Sequence, residues 1–223
     1  MFTLIDQQEC LNKLPSEREL QEKFQSTRIT VREALVRLEA EGIIYRQKRK
    51  GWFICPPRLR WDPVKKVNFY QLAQEQGFTA VTQLISFEGL TSNEVGEEIA
   101  AAFSSHAPQS YHSIQRVRTL DQRPVMVEEI YCCADQFLEL ATKPLEGSIT
   151  TIFQQDYGVD VTHERSQIYV TAVPEDKADI LNLNSGASCL KIIRQRFNAS
   201  QQLIDYNLEF WVHSTIEIQV ESS

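Results

Sequence analysis

The chain has 223 residues, 42% hydrophobic and 24% charged, an ordinary balance for a globular protein with room for one large core or two modest ones. No apolar run approaches the ~20 residues of a membrane span, and the N-terminus lacks the charged and apolar regions of a secretory signal, so a cytoplasmic protein with no membrane partner is expected. The net charge of −7 is unevenly divided: residues 1–60 hold 12 Lys+Arg against 8 Asp+Glu, and residues 61–223 hold 11 against 22. A basic head on an acidic body suits a head that meets phosphates.

In chain order, Ser16-Glu17-Arg18-Glu19 is a capping box opening a short helix to Phe24, with Leu20 and Phe24 at i, i+4. Gln25-Ser26-Thr27 reads as a tight turn. Val31, Ala34, Leu35 and Leu38 then recur at helical spacing, and Gly42 closes this second helix. Ile43–Tyr45 and Trp52–Ile54 are expected strands around a basic loop, Gln47 to Gly51. Helix, turn, helix, hairpin is the order of a winged helix-turn-helix, assigned to residues 1–56. Pro56-Pro57 ends the hairpin, and Arg58–Lys66, with its prolines and basic charge, is expected to be a linker, 57–67 overall.

Residues 68–223 read as α+β. The pattern predicts a strand over Val81–Leu90 and a helix over Asn93–Phe103, with Val95, Ile99 and Phe103 on one face. A long hairpin follows over Tyr111–Cys133, turning at Asp121-Gln122-Arg123-Pro124. Ser148–Tyr157 is a predicted helix and Val159–Val173 extended. Pro174 suits the first turn of a helix whose buried side holds Ala178 and Leu181. Cys189–Phe197 and Leu203–Val212 form a second long hairpin, and Ile216–Val220 is a final strand.

The five cysteines and four histidines show no CxxC pair and no spacing of metal ligands, so buried thiols, no metal and no cofactor are expected. A recognition helix reads bases from its leading end, here Thr27, Arg28, Ile29, Thr30 and Arg32. Arg46, Lys48, Arg49 and Lys50 put four cations into five residues of the wing, suited to phosphate or minor-groove contact.

Leu14-Pro15-Ser16-Glu17-Arg18-Glu19-Leu20, Thr27 through Leu35, Gly42-Ile43-Ile44 and Gly51-Trp52-Phe53-Ile54 together resemble the head of the GntR family. The resemblance implies DNA contacts from Arg18, Arg28, Thr30, Arg32 and Gly51. Family members carry a full first helix before the stretch matching Leu14–Glu17, and Met1–Asn12 is read as the tail of that helix. From about Asn68 onward the chain resembles the UTRA effector domain of the HutC subfamily, with a fold like chorismate lyase and an antiparallel sheet. Gln115-Arg116-Val117-Arg118, Pro124 to Glu128, Leu145-Glu146-Gly147-Ser148 and the closing hairpin carry that resemblance. Gly51-Trp52-Phe53, Asp62-Pro63, Asn68-Phe69 and Glu209-Phe210-Trp211 with His213 are similar to phosphonate-utilisation regulators of the subfamily.

Arg116 and Arg118, two apart on a strand, point to one face. On an inward face they call for an anion; on a solvent face they would pair with acids such as Glu128. Gly147-Ser148 opens a helix whose free N–H groups favour an anion. In sugar-phosphate-sensing UTRA domains the positions matching Arg116, Arg118 and Ser148 hold the phosphate, and those matching Glu128 and Asp205 hold the polar remainder. The resemblance therefore implies a homodimeric repressor on palindromic operator DNA, released by a small anionic effector such as 2-aminoethylphosphonate or a phosphosugar. An activator and a lyase-fold enzyme are the alternatives. No catalytic nucleophile–base pairing is legible.

Overall fold

A computed structural model describes residues 13–47, 50–65, 68–103 and 108–221; the expected helix tail Met1–Asn12 and wing residues Lys48 and Arg49 lie outside them. The chain divides into two compact units, Met1–Arg60 with His213–Ile218, and Trp61–Val212 with Gln219–Ser223. Among the described residues no helix is long and apolar enough to cross a membrane.

The first unit begins with α1 (Glu17–Phe24). Its capping box is closed: Ser16 N and Oγ donate to Glu19 Oε2 at 2.7 and 2.8 Å, and Glu19 N donates back to Ser16 Oγ at 3.3 Å. Gln25, in the left-handed region at φ 47°, ends α1. Thr27 then caps α2 (Arg28–Ala40), its hydroxyl accepting the Thr30 N–H at 3.2 Å. Glu41 caps the far end and Gly42 follows at φ 71°, a conformation glycine adopts without strain. Strands β1 (Ile44–Gln47) and β2 (Gly51–Ile54) pair from Ile44↔Ile54 to Gln47↔Gly51. Leu14, Leu20, Val31, Leu35, Leu38, Ile44 and Trp52 make the buried core, each such side chain stabilising by about 1.5–3 kcal/mol.

The stretch expected as a linker is more ordered than its prolines suggest. It contains β3 (Leu59–Trp61), and the buried Leu59 donates its N–H to Thr215 O at 2.9 Å. The pairing strand β10 is shorter than expected, Ile216–Ile218.

In the second unit, α3 (Phe69–Glu75) was not legible in the sequence; Asn68 caps it by accepting the Gln71 N–H at 2.9 Å. Strand β4 (Ala80–Thr91) precedes α4, which spans only Glu97–Ala102. The expected earlier start fails because the Glu94 carboxylate binds Thr91 N and Oγ1, both at 2.8 Å, and holds that stretch as a turn. Val95, Ile99 and Phe103 nevertheless share one buried cluster.

Strands β5 (Ser110–Leu120) and β6 (Arg123–Cys133) turn tightly through Asp121 and Gln122, both at positive φ. Then come α5 (Ile149–Tyr157), β7 (His163–Ala172), α6 (Glu175–Ile180), β8 (Ser188–Phe197) and β9 (Leu203–Val212). Pro174 stands at the cap of α6, one position before its first turn. The sheet order is β4-β5-β6-β9-β8-β7, antiparallel throughout.

Alternation sorts this sheet into two faces. On one, Ile114, Ile130 and Cys132 pack under Ile149, Ile152 and Phe153 of α5. On the other, Val117, Val127, Phe210 and Val212 pack against Ala178 of α6 and the following Leu181. The α5 face also carries the charged positions that matter below.

Candidate functional site

At the leading end of α2, Arg28, Thr30 and Arg32 are all exposed. Arg28 Nε lies 4.0 Å from Glu17, and exposed Arg18 pairs with Glu22 at 3.2 Å. Such solvated pairs are weak and exchange readily for phosphate. The Thr30 hydroxyl shares a 2.9 Å hydrogen bond with that of Thr27. In the hairpin, the Arg46 guanidinium stands 5.7 Å over the Trp52 ring, Lys50 is exposed, and Gly51 has φ 109°. So positive a φ is one that glycine adopts without strain.

The second unit encloses a cavity of about 690 Å³. One end is formed by Arg116, Arg118 and the first turn of α5, Ser148 to Thr151. Trp61, Phe69 and Trp211 supply apolar lining, and Glu164, Arg194, Arg196 and Glu209, with Lys65 and Asp160, the remaining charged lining. Phe69 packs edge-on to Trp211 at 6.2 Å, and the Arg118 guanidinium lies 4.7 Å over Phe69. The Tyr70 hydroxyl donates to Glu146 O, tying α3 to the loop before α5.

Arg116 and Arg118 face inward, as the anion-binding reading requires, yet both also meet Glu128, as its alternative requires. Arg116 is 1% exposed and reaches Glu128 Oε1 at 2.5 Å, while Arg118 Nε reaches the same oxygen at 2.8 Å. The Arg116 Nη1 donates to Leu145 O at 2.7 Å and Gly147 O at 2.8 Å. Arg116 therefore fixes the loop that starts α5, and Arg118 presents its guanidinium beside it. Burial by itself would raise the Glu128 pKa; Arg116 and then Arg118 outweigh it and hold that carboxyl at about 2.

Glu128 and Asp205, expected to touch the ligand's polar remainder, do not line the cavity. Both are buried and bound to protein groups: Glu128 Oε2 accepts from Asn207 at 3.3 Å, and Asp205 Oδ2 accepts from Arg196 at 3.1 Å, while Asp205 Oδ1 has no hydrogen-bond partner among the described residues. Burial raises the Asp205 pKa against the opposing pull of Arg196. Ser148 caps α5, its hydroxyl accepting from Thr151 N at 3.3 Å, and it lines the cavity.

Six charged lining residues escaped sequence reasoning, Lys65, Asp160, Glu164, Arg194, Arg196 and Glu209, and the last four are joined through Arg194 and Arg196. Arg194 is held by Glu164 at 2.6 Å and Glu209 at 2.8 Å, and Arg196 by Asp205 and, at 3.6 Å, by Glu164. A signal was present: Arg194 and Arg196 repeat on β8 the two-residue spacing of Arg116 and Arg118 on β5.

Comparison with known proteins agrees with this architecture. The model of bacterial regulatory proteins of the gntR family matches residues 6–54, and the UTRA domain model matches 75–217. The chain is 30% identical over 184 residues to the HTH-type transcriptional repressor NagR of Bacillus subtilis, covering 82% of this chain and 74% of that protein. It is 27% identical over 210 residues to the uncharacterized HTH-type regulator YihL of Escherichia coli, covering 92% and 86%. The crystal structure of PhnF from Mycobacterium smegmatis superposes with a TM-score of 0.70 at 20% identity, covering 100% of this chain and 96% of that one, a likeness of fold. Regulators of this type bind operator DNA and, through the UTRA domain, small-molecule effectors. With the UTRA match alone spanning well over half of the residues, the chain belongs to the GntR/UTRA family of transcriptional regulators and is not an enzyme.

Proposed function

We propose that this protein is a homodimeric repressor of a palindromic operator, acting in the cytoplasm and released by a small metabolite bearing a phosphate or phosphonate group. Residues 1–56 are the operator-binding head, 57–67 the segment that conveys ligand state, and 68–223 the effector-binding part. One observation carries the effector reading: Arg118 and the first turn of α5 open onto the same cavity of about 690 Å³. Amide N–H groups at a helix start and a guanidinium together favour an anion. The rest of the ligand, the ammonium of 2-aminoethylphosphonate or the hydroxyls of a phosphosugar, meets Glu209 and Glu164 on the cavity floor. Glu128 and Asp205 act from behind that floor, positioning Arg116, Arg118 and Arg196.

Operator contact comes from Arg18, Arg28, Thr30, Arg32 and the wing at Arg46, Lys48, Arg49, Lys50 and Gly51. A dimer sets two such heads about one DNA turn, ~34 Å, apart. Repression is supported by the names of relatives, the repressor NagR and a probable fructoselysine utilization operon transcriptional repressor of Shigella flexneri, 21% identical over 211 residues. Ligand must favour the non-binding state by about 1–3 kcal/mol to act as a useful switch.

The test is fluorescence anisotropy on duplexes from upstream of the neighbouring operon, with and without 2-aminoethylphosphonate and phosphosugars, alongside calorimetry. Binding that weakens with salt and is relieved by one of these anions is expected. Calorimetric affinity for that anion should fall at least tenfold in Arg118→Ala; unchanged affinity would remove the anion site.

A further inference from the structure

We propose that Ile29 is a base-reading residue that recognises thymine through its C5 methyl group; the inference rests on the operator-binding reading above.

Val31, Leu35 and Leu38 mark the buried side of α2, at 2%, 0% and 5% exposure. Successive residues of a helix are about 100° apart, so Ile29, two positions before Val31, points about 200° away from the core. It is 71% exposed, the highest value among the large exposed hydrophobic side chains of the described residues. Ile29 is also the second residue of the helix, within the turn that a recognition helix presents to base edges.

Its neighbours say what could cover it. Arg28 and Arg32 flank it, both exposed, and the hydroxyls of Thr27 and Thr30 are engaged with each other at 2.9 Å. A greasy protein partner would have to desolvate two guanidinium groups to reach one isoleucine. A DNA duplex offers phosphates and guanine edges to the arginines and, in the major groove, one apolar group to the isoleucine: the thymine methyl. The β-branched side chain is stiff in a helix, so its methyls are held in place before contact. Val36 shares the outward face at 52% exposure, but it lies about 10 Å further along the axis, beyond the leading turn.

The experiment uses the full chain. Its binding site is selected from a pool of random duplexes, and each thymine in that site is then replaced singly by deoxyuridine, which differs only by loss of the methyl. For the wild type, one position in each half-site should weaken about fourfold, the value of one buried methyl, with the other positions unaffected. Ile29→Ala should bind the thymine and uracil duplexes equally, with its salt dependence and thermal midpoint unchanged because the side chain is outside the core. No sensitive position in the wild type, or the same sensitivity surviving in Ile29→Ala, overturns the assignment and leaves operator binding intact. A wild-type chain that selects no site overturns the operator reading and this inference together.

Discussion

Arg194 stands with its guanidinium carbon 4.8 Å over the indole of Trp61, and the same guanidinium is clamped by Glu209 and Glu164. Glu209 also accepts the indole N–H of Trp211 at 2.8 Å. Two tryptophans on the cavity wall therefore share one arginine–glutamate pair. Trp61 directly follows Arg60, where the chain enters the second unit, and Trp211 precedes Val212, where it leaves. A ligand group competing for Glu209 is expected to perturb the surroundings of both tryptophans.

Tryptophan fluorescence should report this. Effector binding is expected to change the emission of the wild type, with part of the change lost in Trp61→Phe and part in Trp211→Phe. Trp52→Phe, in the core of the first unit, should leave the change intact; loss of the signal in Trp52→Phe alone would argue against Glu209 as the shared point.

Glu128 sits 1% exposed between two arginines, so removing it strands cations in the interior. Glu128→Ala should lower stability by about 3–5 kcal/mol. Joint replacement of Arg116 and Glu128 by methionine should recover much of that loss. Urea unfolding of the wild type and the two variants measures the difference.

The same carboxyl predicts an acid limb. Its folded pKa of about 2 lies below the ordinary value of 4.5, so the unfolded chain binds the extra proton between those values. Stability from this group is complete above about pH 5 and is lost as pH falls towards 2, on the order of a few kcal/mol. Asp205 acts with opposite sign: its folded pKa is raised, so it favours the folded state at low pH and gives that up as pH rises through its folded pKa. Unfolding free energies from pH 2 to 6 should fall less steeply with acid in Glu128→Gln than in the wild type. In Asp205→Asn they should fall more steeply.

Gly42 combines a positive φ of 71° with crowding, since an added Cβ would lie 3.1 Å from Ser214 Cβ and 2.7 Å from Arg58 Nη2. Gly42→Ala should destabilise the first unit by about 1–3 kcal/mol. Gly77→Ala, at φ 81° with nothing within 4 Å, isolates the backbone part and should cost less. Thermal melts of both variants give the comparison.

Within the proposed operator interface, Lys50→Ala should weaken all duplexes alike and reduce the slope of log affinity against log salt by about 1, the mark of a lost phosphate contact. Arg32→Ala should cost about 1–3 kcal/mol and relax preference at one base position. Equal losses on every sequence in both variants would place Arg32 on the backbone as well.

Local chemistry determined much of this protein before any folding. The Ser16–Glu19 capping box, the Val31–Leu35–Leu38 stripe, Gly42 and the two long hairpins depend on residues within a few positions of one another, and each is legible as a pattern. The same holds for Arg116 and Arg118, whose two-residue spacing assigns them one face. Tertiary structure alone decided what lies opposite that face. Arg194 is brought beside Glu164 and Glu209 by pairing of β7, β8 and β9, and Asp205 is turned to Arg196 instead of the cavity. Helix α3 and β3 were hidden for the same reason. Too short to show a period, they are held by partners distant in sequence: Trp211 for Phe69 and Thr215 for Leu59. A linear pattern records which side of a strand or helix is buried, but the partner of a buried charge is chosen by strand order, which no single segment encodes.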